Sequence, residues 1–348
     1  MTQIYVLLRK LVPELIELYE KRYTILRSIH SMQPIGRRSL ASALGMGERI
    51  VRNETTFLKD AGFLHMSPSG MIVTPEGEML LEGLREFSRQ LKGLYELEEE
   101  VAKLLRVKKV IVVPGSVDDD GTIMHELGKT AAAYLKSILK KNSVIAVTGG
   151  TTVRSVASAL PPCTEETEII VIPARGGMGS NVENQSNTIA SIFAKKLRGT
   201  YHLLHVPDQL GARAAETLLN EPDIKNIIQW LKRADILIYG IGKAQDMAQR
   251  RNLPPAQLEA IQKAGAVAEA FGYYFNRNGE VVFASNSILM SHMDLMKIPY
   301  PLGVAGGKHK AEAIMAVAGI LENSVLVIDE GAAKEIINIS RKSSSGTT

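Results

Sequence analysis

A single cysteine, Cys163, stands among the 348 residues. That excludes an intramolecular disulfide and a Cys-rich zinc site. Nothing beside it suggests an activated nucleophile, which leaves packing or a surface loop. Long apolar runs are missing too: none approaches the ~20 residues a membrane-spanning helix needs. The opening stretch MTQIYVLLRKLVPELIELYEKR has a helical period with acids throughout, unlike a signal peptide. A cytoplasmic protein with no membrane partner is expected. Charge of one sign is scarce: 41 Lys and Arg against 37 Asp and Glu leave +4, too little to prove a polyanion partner. The seven histidines are scattered, and no H-x-x-x-H or comparable set suggests a metal or a cofactor bound through one. Nucleotide loops fail on spacing. Gly240-Ile241-Gly242 runs into Lys243-Ala244-Gln245, and Gly307-Lys308 has Leu302 and His309 where a P-loop needs Gly and Ser or Thr.

What is present is ordinary globular material, 45% apolar and 22% charged, long enough for two domains. Residues 4–31 read as helix, broken once at Pro13. Arg37 to Leu44 is a short amphipathic helix, Gly45-Met46-Gly47 a tight turn, and Glu48 opens a second helix to about Asp60. Leu64–Met66 and Met71–Val73 read as a hairpin around Ser67-Pro68-Ser69-Gly70. Thr74 then caps a helix with Pro75 at its first position. This order is that of a winged helix-turn-helix. Its partner would be double-stranded DNA, although a winged helix also serves protein contacts. On DNA the second helix enters the major groove. Arg49, Arg52 and Asn53 are then the groups that reach base edges, with Arg37 and Arg38 on phosphates. Each could equally be a solvated group. Residues 78–106 read as one long amphipathic connector.

From Lys108 on, strands alternate with helices, which implies a parallel α/β sheet. Strands read at Val110–Val113, Val144–Val147, Ile169–Ile172, Tyr201–His205, Ile236–Tyr239, Leu302–Ala305 and Val325–Ile328. Helices read at Met124–Leu139, Gln185–Leu197, Asp223–Lys232 and Lys310–Ile320, and Asn278-Gly279 marks a hairpin. Four strands end alike, at Thr148-Gly149-Gly150, Arg175-Gly176-Gly177, Gly240-Ile241-Gly242 and Ala305-Gly306-Gly307. Ligands of open parallel sheets bind beyond the carboxyl ends of the strands. Gly149 and Gly150, followed by Thr151 and Thr152 at a helix start, suit an oxyanion; the bland reading is a βα turn with a Thr cap. Arg175 could fork onto a phosphate, and Lys308 and Lys310 open a helix after Gly306-Gly307. Gln185 and Asn187 lie on the helix after Arg175. Arg250 and Arg251 follow the Gly240–Gly242 turn, and Glu269, a carboxylate near cations, suits sugar hydroxyls. A phosphorylated ligand is the consistent reading.

Together VTGGTT (147–152), PARGG (173–177), ENQSNT (183–188), AQRRN (248–252), EAFGYYFN (269–276), KAEAI (310–314) and IGRRSLA (35–41) resemble the SorC family of bacterial transcriptional regulators, in particular its glycolytic subgroup. The resemblance covers essentially the whole chain. It implies a DNA-binding head and a Rossmann-like sensor domain similar in fold to glucosamine-6-phosphate deaminase and ribose-5-phosphate isomerase. The implied effector is fructose 1,6-bisphosphate, and the implied target is the operator of a glycolytic operon. By the resemblance, one phosphate falls to Gly149, Thr151, Thr152 and Lys310 and the other to Arg175, with Gln185, Arg250 and Glu269 around the sugar. The expected division is a winged helix-turn-helix domain at 1–88, a helical linker at 89–106, an effector-binding and oligomerisation domain at 107–342 and a disordered tail at 343–348. A homo-oligomeric repressor relieved by a sugar phosphate is expected. The alternative is a sugar-phosphate isomerase or deaminase with an accessory head, for which Glu269 is the one acid at hand.

Overall fold

The computed structural model describes residues 10–91, 93–177, 181–207, 212–285 and 290–345. They form two compact units, one of Met1–Leu97 with Asp119–Thr122, the other of Glu98–Asp118 with Ile123–Thr348.

In the first unit, α1 is Pro13–Met32, α2 Arg37–Leu44 and α3 Glu48–Asp60, followed by β1 Leu64–Ser67, β2 Gly70–Val73 and α4 Pro75–Leu91. Lys10 and Leu11 are helical, the helix breaks at Val12, and α1 restarts with Pro13 in its first turn, where the missing N–H costs nothing, so the helical region is broken at Pro13 as expected. Residues 4–9 of the predicted helix lie outside the described residues. Gly45 closes α2 in the left-handed region at φ 61° and turns the chain into α3. The buried residues of α3 are Val51, Glu54, Thr55 and Leu58, one stripe at spacings of three and four. They join Ile25, Leu26, Ile29 and Leu40 in one core with the hairpin residues Leu64, Met71 and Val73. β1 and β2 pair antiparallel from Leu64–Val73 to Ser67–Gly70. Thr74 caps α4 as predicted, its Oγ1 accepting the Gly77 N–H at 3.1 Å.

The connector predicted as one helix over 78–106 is two. α4 ends at Leu91 and α5 runs Leu94–Leu105, parted where Gly93 takes φ 61°, a left-handed conformation no helix continues through.

The second unit is an α/β fold. Its strands and helices, in order, are β3 Lys109–Val113, α6 Ile123–Ile138, β4 Val144–Val147, α7 Thr151–Ala159, β5 Ile170–Pro173, α8 Ser186–Leu197, β6 Thr200–Tyr201, α9 Ala212–Leu218, α10 Pro222–Lys232 and β7 Ile236–Gly240. There follow β8 Gly242–Lys243, α11 Ala244–Arg250, α12 Pro255–Lys263, β9 Ala266–Ala270, β10 Tyr273–Asn276, β11 Val281–Ala284, α13 His292–Leu295, β12 Tyr300–Ala305, α14 Ala311–Ala318, β13 Val325–Asp329 and α15 Glu330–Ser345. Seven strands form one sheet in the order β3-β13-β12-β7-β4-β5-β6, and every pair in it is parallel. Residues of β4 and β7 are buried on both faces, which is why they read as unbroken apolar runs. On one face Leu127, Val153, Val156 and Phe193 pack with Ile145, Val147 and Ile238 in a single core.

Several predicted bounds need correction. The strand expected at Tyr201–His205 stops at Tyr201. The side chain of Asn187 takes both backbone groups of Leu204, at 3.0 Å each, and so removes that stretch from the ladder. The helix expected from Lys310 starts at Ala311, after a 3-10 turn over Lys308–Lys310. Gln185 caps α8 rather than opening it. The tail is helical through Ser345, and only 346–348 lie outside the described residues. Of the antiparallel sheet β11-β10-β9-β8 the sequence pattern shows only the β10–β11 hairpin, whose turn carries Gly279 at φ 79°. β9 reads Ala-Val-Ala-Glu-Ala, which has almost no β-propensity, and only its neighbours make it a strand.

Candidate functional site

The four glycine-bearing strand ends belong to β12, β7, β4 and β5, four adjacent strands. They therefore stand side by side along the carboxyl edge of the sheet.

At the end of β4, Gly149 approaches the neighbouring loop so closely that a Cβ there would sit 2.7 Å from the Asn184 carbonyl oxygen. Gly150, at φ 117°, donates its N–H to that same carbonyl at 2.8 Å and accepts the Arg154 N–H at 3.0 Å. An ion pair between Arg154 and Glu183 fastens the loop a second time. The Gly150 amide is thus used internally. The amides of the first turn of α7, from Thr151 onward, have no partner within the helix and meet the positive end of its dipole. Thr151 is exposed there and Thr152 buried.

The end of β12 is different. Gly306 is small because Leu127, Val117 and Asp329 crowd it: a Cβ would lie 2.7 Å from Leu127. The Gly307 N–H donates to Asp329 at 2.9 Å and the Lys308 N–H to Asp118 at 2.7 Å. Asp118 also holds the His309 ring at 2.7 Å. The protein's own carboxylates already occupy the backbone donors expected to receive an oxyanion after Gly306-Gly307. What this turn offers is the half-buried side chain of Lys310. Burial lowers its pKa from the usual lysine value, and the Arg250 charge adds to that, while Asp329, Asp118 and Asp246 oppose it.

At the end of β5, Arg175 is buried and its carbonyl accepts the Ser186 hydroxyl at 2.8 Å. Its guanidinium donates to Glu269 Oε1 at 3.0 Å. Arg251 donates to the same oxygen at 2.8 Å, and so does the Gly272 N–H at 2.9 Å. The amide of Gly272 is aimed there by a two-residue turn between β9 and β10 with φ 58° at Phe271 and 94° at Gly272. Burial raises the Glu269 carboxyl above its ordinary value, against the pull of Arg175 and the Gly272 amide. With two permanently charged guanidinium groups on one oxygen, this geometry holds the ionised form. Gln185 lies beside Gly177, where a Cβ would come within 3.1 Å of its Oε1.

The structure thus brings Arg175 and Glu269 together, and Gly149–Thr152 beside the 183–185 loop. It separates the neighbours Arg250 and Arg251: Arg250 is exposed and Arg251 buried on Glu269. Arg251 stands beside Arg250 among the candidates, but nothing local tells the two apart; Asp118 and Asp329 carry no signal, since the Gly307 and Lys308 amides they hold are distant in the chain. Asn187 serves the backbone of Leu204. Among the described residues no cluster could hold a metal ion, and no helix is long and apolar enough to cross a membrane.

In the first unit, Arg49, Arg52 and Asn53 are exposed on the side of α3 opposite its buried stripe. Glu48 lies loosely between Arg38, at 3.7 Å, and Arg52, at 3.6 Å. Arg37 is half-buried with its guanidinium 3.2 Å from Met66 Sδ, so part of it serves to prop the hairpin. Glu54 ties α3 to α1 through Arg22 at 2.8 Å and Lys21 at 3.5 Å.

Residues 18–88 match the family model "CggR N-terminal DNA binding domain", and residues 89–338 match "Putative sugar-binding domain". The crystal structure of the "putative SorC family transcriptional regulator" from Enterococcus faecalis shares 35% identity, with a TM-score of 0.66 over 70% of this chain and 99% of that one. This chain belongs to the SorC family. The central glycolytic genes regulator of Priestia megaterium is 43% identical over 330 residues, 94% of this chain and 96% of its own. That of Bacillus subtilis is 42% identical over 97% and 99%. The full-length sorbitol operon regulator of Klebsiella pneumoniae shares the fold, with a TM-score of 0.66 over 90% of this chain at 15% identity. This SorC-family chain is a transcriptional regulator with a DNA-binding domain and a sugar-binding domain. It is not an enzyme, because these relatives are regulators; the isomerase or deaminase alternative is set aside on that ground.

Proposed function

We propose that this regulator represses a glycolytic operon and is released from its operator by fructose 1,6-bisphosphate. The observation that carries the effector reading is the open first turn of α7 at the centre of four adjacent glycine-bearing strand ends. One phosphate sits on the amides of Thr151 and Thr152, with Gly149 and Gly150 shaping the turn and Lys310 supplying charge. Gly306 contributes by letting the neighbouring strand end pack closely. The second phosphate goes to Arg175. Gln185, Arg250 and Glu269 surround the sugar; among the described residues the donors to Glu269 (Arg175, Arg251 and the Gly272 amide) end on Oε1, and Oε2 accepts a hydroxyl.

The head at 1–88 reads the operator with Arg49, Arg52 and Asn53 on base edges and Arg37 and Arg38 near phosphates. Residues 89–106 link it to the effector-binding and oligomerising part at 107–342. A homo-oligomer presents paired heads to repeated half-sites. The effector binds one state of the protein better and so weakens the state that holds DNA.

Titrating a complex of the protein with its own upstream DNA tests this. Fructose 1,6-bisphosphate should dissociate the complex and fructose 6-phosphate should not. A complex indifferent to the bisphosphate would refute the reading.

A further inference from the structure

Arg251 is 3% exposed, belongs to the end of α11, and shares one oxygen of Glu269 with Arg175. The effector reading gives it no task. In a water-poor interior, an arginine held by a carboxylate is held strongly, and a phosphate approaching that arginine has to compete with the carboxylate. A second guanidinium on the same oxygen divides the carboxylate's charge, so loosening the first one costs less. The Gly272 amide at 2.9 Å works in the same direction.

We propose that Arg251 is a positioning residue of the effector site: by sharing Glu269 Oε1 it keeps Arg175 from being locked onto that carboxylate, and so lets Arg175 take a phosphate. The inference rests on the effector reading above. Arg251 itself touches no ligand in this scheme. Its effect is confined to the phosphate that Arg175 receives and does not extend to the one at α7.

The experiment is calorimetric titration of the full-length protein with fructose 1,6-bisphosphate and with fructose 6-phosphate. In Arg251→Met the bisphosphate should bind about 10- to 100-fold more weakly, while the monophosphate, seated at α7, changes little. Arg251→Lys keeps the charge and should keep most of the preference for the bisphosphate. In a Glu269→Gln background, where no carboxylate charge remains to be shared, Arg251→Met should no longer alter bisphosphate affinity. That last comparison separates charge sharing from mere support of the fold and holds even if Arg251→Met alone fails to fold. Equal weakening of both ligands by Arg251→Met, or the same loss with and without Glu269, overturns the inference. Wild-type protein that binds neither sugar overturns the effector reading and the inference with it.

Discussion

On α3 the Arg52 side chain is 62% exposed with its guanidinium 3.6 Å from Glu48, whereas in the second unit Arg251 is 3% exposed and 2.8 Å from Glu269. An exposed pair of that kind contributes about 0–1 kcal/mol and is screened by salt. Its charge therefore remains available to a polyanion that arrives from solution. A buried pair has already lost its water, so its partner is fixed and breaking it is costly. The first arrangement suits a long charged surface met in many registers. The second suits a small ligand that has to be told from its close analogues.

The largest expected effect tests the buried side of this contrast. Glu269→Ala leaves Arg175 and Arg251 facing each other without the carboxylate and should cost about 3–5 kcal/mol of stability. The one tryptophan, Trp230 in α10, lies in the second unit, so urea denaturation followed by its fluorescence reads that unit. An unchanged midpoint would break the comparison. Next comes the exposed side: Arg38→Ala should weaken operator binding roughly tenfold and flatten its salt dependence, without lowering the melting temperature of the first unit. Binding that is weaker at every salt concentration by the same factor would mean that Arg38 meets no phosphate.

A smaller effect concerns the frame that carries α4. Thr74→Ala removes the cap on the Gly77 amide and should cost about 1 kcal/mol, seen as a lower melting temperature of the first unit. The smallest at neutral pH concerns Lys310. Its pKa is lowered in the folded protein, so the cost of burying its charge is present below that lowered value and fades as the pH rises toward the unfolded value of 10.5. A bound phosphate favours the protonated amine. Sugar-phosphate affinity should therefore be full at neutral pH and fall as the pH rises through the lowered pKa, with proton uptake on binding. Calorimetry in alkaline buffers of different ionisation enthalpy measures that uptake, and Lys310→Met should abolish it.

Much of this architecture was legible residue by residue. The α2–turn–α3 unit, the hairpin, the Thr74 cap and the glycines at four strand ends all follow from periodicity and turn chemistry, which act over a few residues. Where sequence and structure differ, the cause lies beyond a few residues. The helical period runs straight across Gly93, whose φ of 61° nevertheless ends a helix there. β9 carries residues with no preference for a strand and becomes one only by pairing with β8 and β10. Glycines at the end of β12 suggest an anion seat, yet Asp329 at the end of β13 and Asp118 in the turn after β3 fill it.

The sequence by itself determined that helices and strands alternate after the head, that the large sheet is parallel, and which stripe of α3 faces out, because each of these depends on neighbours in the chain. Only the tertiary structure decided which of Arg250 and Arg251 is buried and what Arg175 holds. Arg175 and Glu269 are 94 residues apart, Arg251 and Glu269 18, and no local pattern connects them. The charge of a side chain is written in the sequence; the carboxylate that shares it is set by how the two sheets fold together.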